Sequence, residues 1–220
     1  MSEWARSQTL NAHRGIADKV HVVGWGPCAV DLSAESPAHH RENIVLHVSN
    51  DFRRKGVDYL MATAEKVAAR VPDVQFLVVG QDHRADWARD TGAVRFLGPR
   101  RGEELASLFR RAKVFFLPHR FDRSPHVLVE AMSASLPLVT SRQGGAVELV
   151  EGRDTGYCVP SGDINGYSDA LTTLLTDENR RRAAGTLALR LMRKQYRWPV
   201  VADRMLELMA AARHRPIVRA

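Results

Sequence analysis

The chain has 220 residues, of which 45% are hydrophobic and 26% are charged, and its formal net charge at pH 7 is +7. This composition is typical of a globular protein with one large core or two small ones. The basic residues are scattered in short clusters with no basic tail, so we expect no nucleic-acid partner. A phosphorylated small ligand or an acidic membrane surface fits the positive charge.

No apolar run approaches the roughly 20 residues that span a bilayer, and the N-terminus lacks the apolar core of a signal peptide. The two cysteines, Cys28 and Cys158, are far apart and follow no disulfide or metal pattern. Reduced cysteines are typical of cytosolic proteins. We therefore expect a cytoplasmic protein, with peripheral attachment to the inner membrane face as the alternative.

The first part of the chain carries weak signals. Residues 1–20 have the pattern of an amphipathic helix, and His21–Gly24 is a short strand candidate. The run from Gly24 to Pro27 breaks that strand, and the polar, proline-containing stretch from Asp31 to Arg41 predicts a linker. We assign residues 1–41 to the remnant of a preceding domain and its linker.

From Glu42 onward, apolar runs alternate with helical patterns. The predicted strands are residues 44–48, 74–80, 94–98, 114–118, 137–141 and 156–160. The predicted helices are residues 57–71 and 102–112, one from Val127, and residues 164–175, 178–196 and 198–213. This alternation predicts an α/β fold, with a Rossmann-like parallel sheet covered by helices on both faces. We assign it to residues 42–197, with a C-terminal helix over 198–220.

Three cations, Arg53, Arg54 and Lys55, follow the first of these strands and precede a helix. A diphosphate suits this position, because arginine offers a planar fork of donors and lysine offers a point charge. The alternative is a solvated basic turn.

An acid lies on each side of a later strand-to-helix joint, Asp122 before the turn and Glu130 inside the helix. Open α/β sheets bind ligands at such joints, and helix N-termini favour phosphate. Carboxylates cannot hold phosphate, but they accept hydrogen bonds from sugar hydroxyls. Apolar neighbours such as Val127 and Leu128 surround Glu130, which needs a partner if it is buried. The alternative is a loop residue and a surface acid.

Other strand ends carry weaker signals. Gly80 would let a ligand approach the backbone, and Phe96 and Leu97 would wall a nucleotide base. Ordinary packing explains each of them as well. We find no nucleophile constellation, zinc pattern or phosphate-binding P-loop, and we expect no cofactor and no metal.

Several motifs together resemble a known family: Asp51–Gly56, Phe76–Gly80, Phe96–Gly98, and the stretch from Leu117 to Glu148 that contains Asp122 and Glu130. The chain resembles the C-terminal, nucleotide-sugar-binding half of the retaining family 4 (group 1) glycosyltransferases, which have the two-domain GT-B fold. The resemblance covers nearly the whole chain. It implies a single half of a GT-B fold, because only residues 1–20 or so correspond to the other half.

The resemblance also implies residue roles. Glu130 would hold the ribose hydroxyls, and Asp122, where the family has glutamate, would face the donor sugar. Backbone amides near Val127 and Leu128 would meet the phosphates. Lys55 matches the family lysine that binds the diphosphate.

The family has an arginine shortly before that lysine. Ser49 and Asn50 occupy the corresponding region here, and we expect Arg53 to substitute for it.

The family transfers a sugar from a nucleoside-diphosphate sugar with retention. The donor would be UDP- or GDP-linked, and the acceptor an unknown sugar, lipid or small molecule. A non-catalytic nucleotide-sugar-binding module, or a subunit that needs a separate acceptor domain, is the main alternative; the epimerases that share the GT-B shape are a weaker one. We expect the helix from Trp198 to expose apolar surface that meets an acceptor domain or forms a homodimer.

Overall fold

A parallel sheet of six strands in the order β3-β2-β1-β4-β5-β6 forms the centre of the molecule. The computed structural model describes residues 2–13, 15–35, 40–82 and 85–213. The strands are β1 Ile44–Val48, β2 Gln75–Val79, β3 Val94–Gly98, β4 Val114–Leu117, β5 Leu138–Ser141 and β6 Gly156–Val159. The predicted α/β class and all six predicted strands from Glu42 onward are confirmed.

Helices connect and cover the strands. They are α1 Glu3–Ala12, α2 Val57–Ala68, α3 Gly102–Arg111, α4 His126–Ser133, α5 Val147–Val150, α6 Ile164–Thr176, α7 Glu178–Gln195 and α8 Trp198–Arg213, with a 3-10 turn at Gly144–Ala146. Across the described ranges, no helix is both long and apolar enough to cross a membrane.

The core has two layers, because successive side chains of a strand point to opposite faces of the sheet. On one face Leu46 belongs to a cluster with buried residues of α3, α4 and α7. On the other face Val45 belongs to a cluster with buried residues of α2 and α6. Burial on both faces explains why the strands are almost continuously apolar.

The strand order reverses between β1 and β4. The chain runs outward from β1 through β2 to β3, and then returns to place β4 on the other side of β1. In open α/β sheets, ligands bind at the carboxyl edge beside such a reversal. The loops that follow β1 and β4 meet at this point, and they carry Lys55 and Asp122.

Gly56 sets the distance between these two loops. Its φ of +74° lies in the left-handed region, and a Cβ at this position would lie 1.9 Å from the carbonyl oxygen of Pro118. A residue with a side chain would therefore push the start of α2 away from the end of β4. Glycine at this position brings the two loops into contact.

The N-terminal part differs from the prediction in two ways. Within residues 2–20 the helix covers only Glu3–Ala12, and the strand predicted at His21–Gly24 is absent from the described range 15–35. That stretch lies beside α8, where the Arg204 guanidinium donates a hydrogen bond to the Val23 carbonyl oxygen (3.1 Å). The prediction failed because so short an apolar run does not determine whether the segment pairs with a strand or packs beside a helix.

The segment after it packs against the domain. Trp25, Val30 and Leu32 are buried in the core cluster of α3, α4 and α7. The Leu32 N–H donates to Ser133 Oγ at the end of α4 (3.0 Å). The polar stretch that we assigned to a linker therefore begins on the surface of α4, and residues 36–39 of it lie outside the described residues.

Candidate functional site

A cavity of about 450 Å³ opens at the carboxyl edge between β1 and β4. Two loops supply most of its lining, one after β1 and one that leads into α4. The lining residues that carry polar or charged side chains are Ser49, Asn50, Asp51, Arg54, Lys55, Asp122, Ser124, His126 and Glu130. The cavity therefore lies where the strand order reverses, and it contains three of the predicted site residues with the strongest chemistry.

Lys55 and Asp122 form an ion pair inside this cavity. Their side chains are only 14% and 12% exposed, and Asp122 also accepts the Ser124 N–H (3.1 Å). Burial acts to raise the pKa of Asp122, but the charge and hydrogen bond of Lys55 outweigh it and hold that pKa below its ordinary value. The two groups predicted to serve the diphosphate and the sugar are thus bound to each other.

Glu130 is buried, with 5% of its surface exposed, and it lines the same cavity. Its Oε1 accepts the backbone N–H groups of Cys28 (3.1 Å) and Ala29 (2.8 Å). Oε2 receives no hydrogen bond from the part of the chain that the structure describes. The buried acid therefore has the partner that its apolar surroundings demand, and it keeps one oxygen for a ligand.

The two predicted backbone donors at the start of α4 differ. Val127 lines the cavity, and its N–H belongs to the first turn, where amides have no acceptor inside the helix. Leu128 is fully buried, and its N–H donates to the Pro125 carbonyl oxygen (3.0 Å). Of the two, the structure brings only Val127 to the cavity.

The cation beside Lys55 in the cavity is Arg54 and not Arg53. Arg54 donates to Asp51 (2.8 Å) and to the Phe121 carbonyl oxygen (3.2 Å). Arg53 is exposed and lines a neighbouring cavity of about 560 Å³. The cause is the tight turn before α2, in which Lys55 N–H bonds to Asp51 O, because such a turn points successive side chains in different directions.

Gly80, Phe96 and Leu97 are not among the residues that line the 450 Å³ cavity. A Cβ on Gly80 would lie 1.8 Å from the Ser49 carbonyl oxygen, so this glycine allows two loops to pack. Phe96 packs on Phe52 with ring centroids 5.7 Å apart, and Leu97 packs against the core. Packing, the alternative given for each of them, accounts for all three positions.

Sequence reasoning missed the cover that residues 25–29 place over α4. Cys28 Sγ lies 3.1 Å from His126 Nδ1, and the His126 ring stacks on Trp25 at 5.7 Å. Burial raises the pKa of the Cys28 thiol and lowers the pKa of His126, so both groups are neutral near pH 7. Trp25 and the apolar Val30 inside a polar stretch were the signal that this segment is packed.

The cavity is not strongly positive. Lys55 pairs with Asp122, Arg54 pairs with Asp51, and Glu130 adds a third carboxylate against two cations. An arriving diphosphate must therefore compete with carboxylates for these cations. Over the described residues, no group of three or more His, Cys, Asp or Glu side chains could hold a metal ion.

Comparisons with known proteins agree with this geometry. The profile of the family described as "Glycosyl transferases group 1" matches residues 30–189. The chain is 36% identical over 164 residues to a phosphatidyl-myo-inositol mannosyltransferase of Mycolicibacterium smegmatis, which covers 72% of this chain and 42% of that protein.

Two solved structures share the fold. WaaG, a glycosyltransferase involved in lipopolysaccharide biosynthesis, has a TM-score of 0.77 at 19% identity, over 92% of this chain and 60% of WaaG. HepE of Anabaena, solved in complex with UDP-glucose, has a TM-score of 0.64 at 21% identity, over 77% of this chain and 49% of HepE.

The chain spans about four tenths of the length of the mannosyltransferase that it matches, with 42% of that protein covered. The match to WaaG corresponds to one half of a two-domain GT-B protein. The family profile covers most of the chain, from the segment over α4 to α7. The chain therefore belongs to the glycosyl transferases group 1 family, and it corresponds to the C-terminal half of the GT-B fold.

Proposed function

We propose that this chain binds a nucleoside-diphosphate sugar in the 450 Å³ cavity, as the donor half of a retaining glycosyltransferase. One observation carries the proposal. A single cavity at the reversal of strand order contains the Lys55–Asp122 pair, a buried Glu130 with one uncommitted oxygen, and the first turn of α4. These are the groups that a diphosphate, a ribose and a sugar require.

The ribose is expected to lie at Glu130. Its Oε2 accepts a hydroxyl, while Oε1 remains bonded to the Cys28 and Ala29 amides. An ionised carboxylate has acceptor sites on both oxygens, so the two sets of bonds are compatible.

The diphosphate is expected at Lys55, Arg54 and the Val127 amide. The Lys55 ammonium has three donors, and its bond to Asp122 leaves two for phosphate oxygens. The first turn of α4 adds an N–H and the positive end of the helix dipole. Arg54 takes the place that we expected for Arg53.

In this proposal the difficult step is the departure of the diphosphate. Negative charge develops on its oxygens as the bond to the sugar breaks, and preorganised donors stabilise that charge more than they stabilise the intact donor. Lys55 and Arg54 supply this stabilisation. Asp122 accepts a hydroxyl of the transferred sugar and keeps Lys55 in place.

The relatives support the choice of ligand class. One is named as a mannosyltransferase, and the HepE structure contains UDP-glucose. Transfer to an acceptor is a property of full-length relatives, of which this chain covers only a part. The acceptor, whether a sugar, a lipid or a small molecule, is therefore a proposal.

Isothermal titration with UDP, GDP and ADP tests donor binding. Glu130→Gln keeps an acceptor for the Cys28 and Ala29 amides but removes the charge, and we expect it to weaken the preferred nucleotide about tenfold. Glu42→Gln is the matched control, because Glu42 lies before β1, at the opposite edge of the sheet, and pairs with Arg111. Equal affinities for the wild type and Glu130→Gln would remove the ribose assignment.

A non-catalytic nucleotide-sugar-binding module is the second candidate. The Lys55–Asp122 pair favours it, because the two groups predicted to act on the donor are bound to each other. A hydrolysis assay with UDP-glucose and GDP-mannose separates the two. Sustained release of sugar, lost in Lys55→Ala, supports an enzyme, whereas tight binding without release supports the module.

A further inference from the structure

His47 is a polar side chain in the interior of the central sheet. It lies on β1 and is fully buried, so neither ring nitrogen is exposed to solvent. Its Nδ1 is 2.9 Å from the Phe116 carbonyl oxygen, and its Nε2 is 2.8 Å from Ser49 Oγ. Both ring nitrogens therefore have one partner each, and only one of the partners, Ser49, reaches the cavity.

These two partners determine the direction of both hydrogen bonds. A carbonyl oxygen can only accept, so Nδ1 of His47 carries a proton and donates it to Phe116. Burial, together with the nearby charges of Lys55 and His119, keeps the pKa of His47 at about 4, so the ring is neutral at pH 7. A neutral ring protonated at Nδ1 has a bare Nε2. The Ser49 hydroxyl therefore donates its only proton to His47.

This bond leaves the Ser49 hydroxyl with no proton for another partner, and Ser49 is one of the residues that line the cavity. The side chain is more than nine-tenths buried, with 7% of the residue exposed, and its backbone N–H donates to the Val79 carbonyl oxygen (2.9 Å). The hydroxyl oxygen retains lone pairs but has no proton to offer. A phosphate oxygen, which can only accept, finds no hydrogen bond there, whereas a sugar hydroxyl does.

We propose that Ser49 is a specificity-determining residue of the donor cavity, held by His47 as a hydrogen-bond acceptor for a hydroxyl of the nucleotide sugar and closed to its diphosphate. The inference rests on the proposed function, because it assigns a part of the same ligand to a part of the same cavity. Gly80 contributes indirectly, because the absence of its side chain lets the end of β2 pack against the Ser49 carbonyl group. His47 is the positioning residue.

The tautomer of His47 can be measured without any ligand. We expect the ¹⁵N chemical shifts of the His47 ring in the full chain to show a protonated Nδ1 and a bare Nε2. A proton on Nε2 would reverse the bond, free the Ser49 hydroxyl to donate to phosphate, and overturn the inference. This measurement does not depend on whether the protein is an enzyme.

Binding tests the role of Ser49. For Ser49→Ala we expect affinity for the preferred nucleotide sugar, UDP-glucose or GDP-mannose, to fall roughly two- to tenfold, the range of one hydrogen bond. Affinity for inorganic pyrophosphate stays unchanged. Ser141→Ala is the matched control, because Ser141 is also buried at a strand end, bonded to Tyr167 (2.6 Å), and outside the cavity lining.

The outcomes separate this inference from the proposed function. If the wild-type chain binds none of these ligands in the cavity, both fall. If it binds them, but Ser49→Ala loses pyrophosphate affinity as strongly as nucleotide-sugar affinity, Ser49 serves the phosphate and only the inference fails. Unchanged affinity for both ligands would mean that Ser49 contacts neither of them, and this result too would overturn only the inference. Titrating UDP beside UDP-glucose distinguishes a ribose hydroxyl from a hydroxyl of the transferred sugar.

Discussion

At the scale of single residues, we propose that Lys55 is the cation on which diphosphate binding depends most. It is almost buried, and its position is held by Asp122 on one side and by the turn at Gly56 on the other. We expect Lys55→Ala to weaken UDP or GDP binding by about 1.5–3 kcal/mol, the usual range for a hydrogen bond to a charged group.

Lys113→Ala is the control for this prediction. Lys113 bonds to Asn43 beside the amino ends of β1 and β4, at the opposite edge of the sheet. Titration calorimetry of the two variants beside the wild type measures the difference. Equal losses in both would mean that the nucleotide responds to net charge and does not contact Lys55.

In the proposed site, the negative charge of Asp122 counteracts the binding of a diphosphate to Lys55. Removing its charge frees Lys55 and takes a like charge away from the diphosphate, so we expect Asp122→Asn to bind UDP or pyrophosphate more tightly, by roughly tenfold, or about 1.4 kcal/mol. Sugar release should fall in the same variant. Asp58→Asn, which breaks the Arg120 ion pair on α2 outside the cavity, is the control. Weaker binding by Asp122→Asn would contradict this account of the charges.

At the scale of elements, β1 links the stability of the sheet to pH. Burial lowers the pKa of His47 from its ordinary 6.5 to about 4, so the unfolded chain binds a proton more readily than the folded one between these values. The stabilising contribution is complete above pH 6.5 and is lost as the pH falls towards 4. We expect His47 to account for about 3 kcal/mol of lost unfolding free energy over this range.

Urea unfolding at pH 7 and pH 4.5 tests this prediction, with His47→Gln measured beside the wild type. The difference between the two proteins isolates His47 from the other histidines. The variant is expected to be less stable at pH 7 and to lose less stability on acidification. An equal loss in both proteins would show that His47 is not the group that titrates.

The strands and the site were not equally predictable. The strands from Ile44 onward were found because their apolar runs are local signals. The Lys55–Asp122 pair joins residues 67 positions apart, so only the folded distance between two loops reveals it. The choice of Arg54 over Arg53 depends on the geometry of one turn. Glu130 was expected to need a partner, but nothing local identified the Cys28 and Ala29 amides.

At the scale of the whole molecule, α8 leaves an apolar surface exposed, as the sequence predicted. Four large apolar side chains of this helix are between 47% and 63% exposed: Trp198, Met205, Leu206 and Met209. Exposed apolar patches mark interaction surfaces. We propose that an acceptor domain or a second copy of the chain covers this one, and the domain division at residues 41 and 197 remains a prediction.

Self-association tests the second of these partners. We expect the 220-residue chain to show a concentration-dependent dimer in sedimentation velocity, and Leu206→Lys to shift it towards the monomer. Leu206 is the most exposed of these side chains, at 63%, so the substitution leaves the core intact. A wild-type chain that stays monomeric at every concentration would leave an acceptor domain as the partner.

The bonds from the Cys28 and Ala29 amides give the Glu130 carboxylate two roles. It holds these two residues and, in the proposed site, it also binds the ribose. Both oxygens belong to one carboxylate group, so the proposed bond of a ribose to Oε2 would also restrain the Cys28–Ala29 segment that is bonded to Oε1. By thermodynamic reciprocity, a change that loosens this segment would then weaken nucleotide binding. Hydrogen exchange reports this tether directly. Saturating UDP or GDP should slow amide exchange at Cys28 and Ala29. An unaltered rate would mean that nucleotide binding is not coupled to this segment.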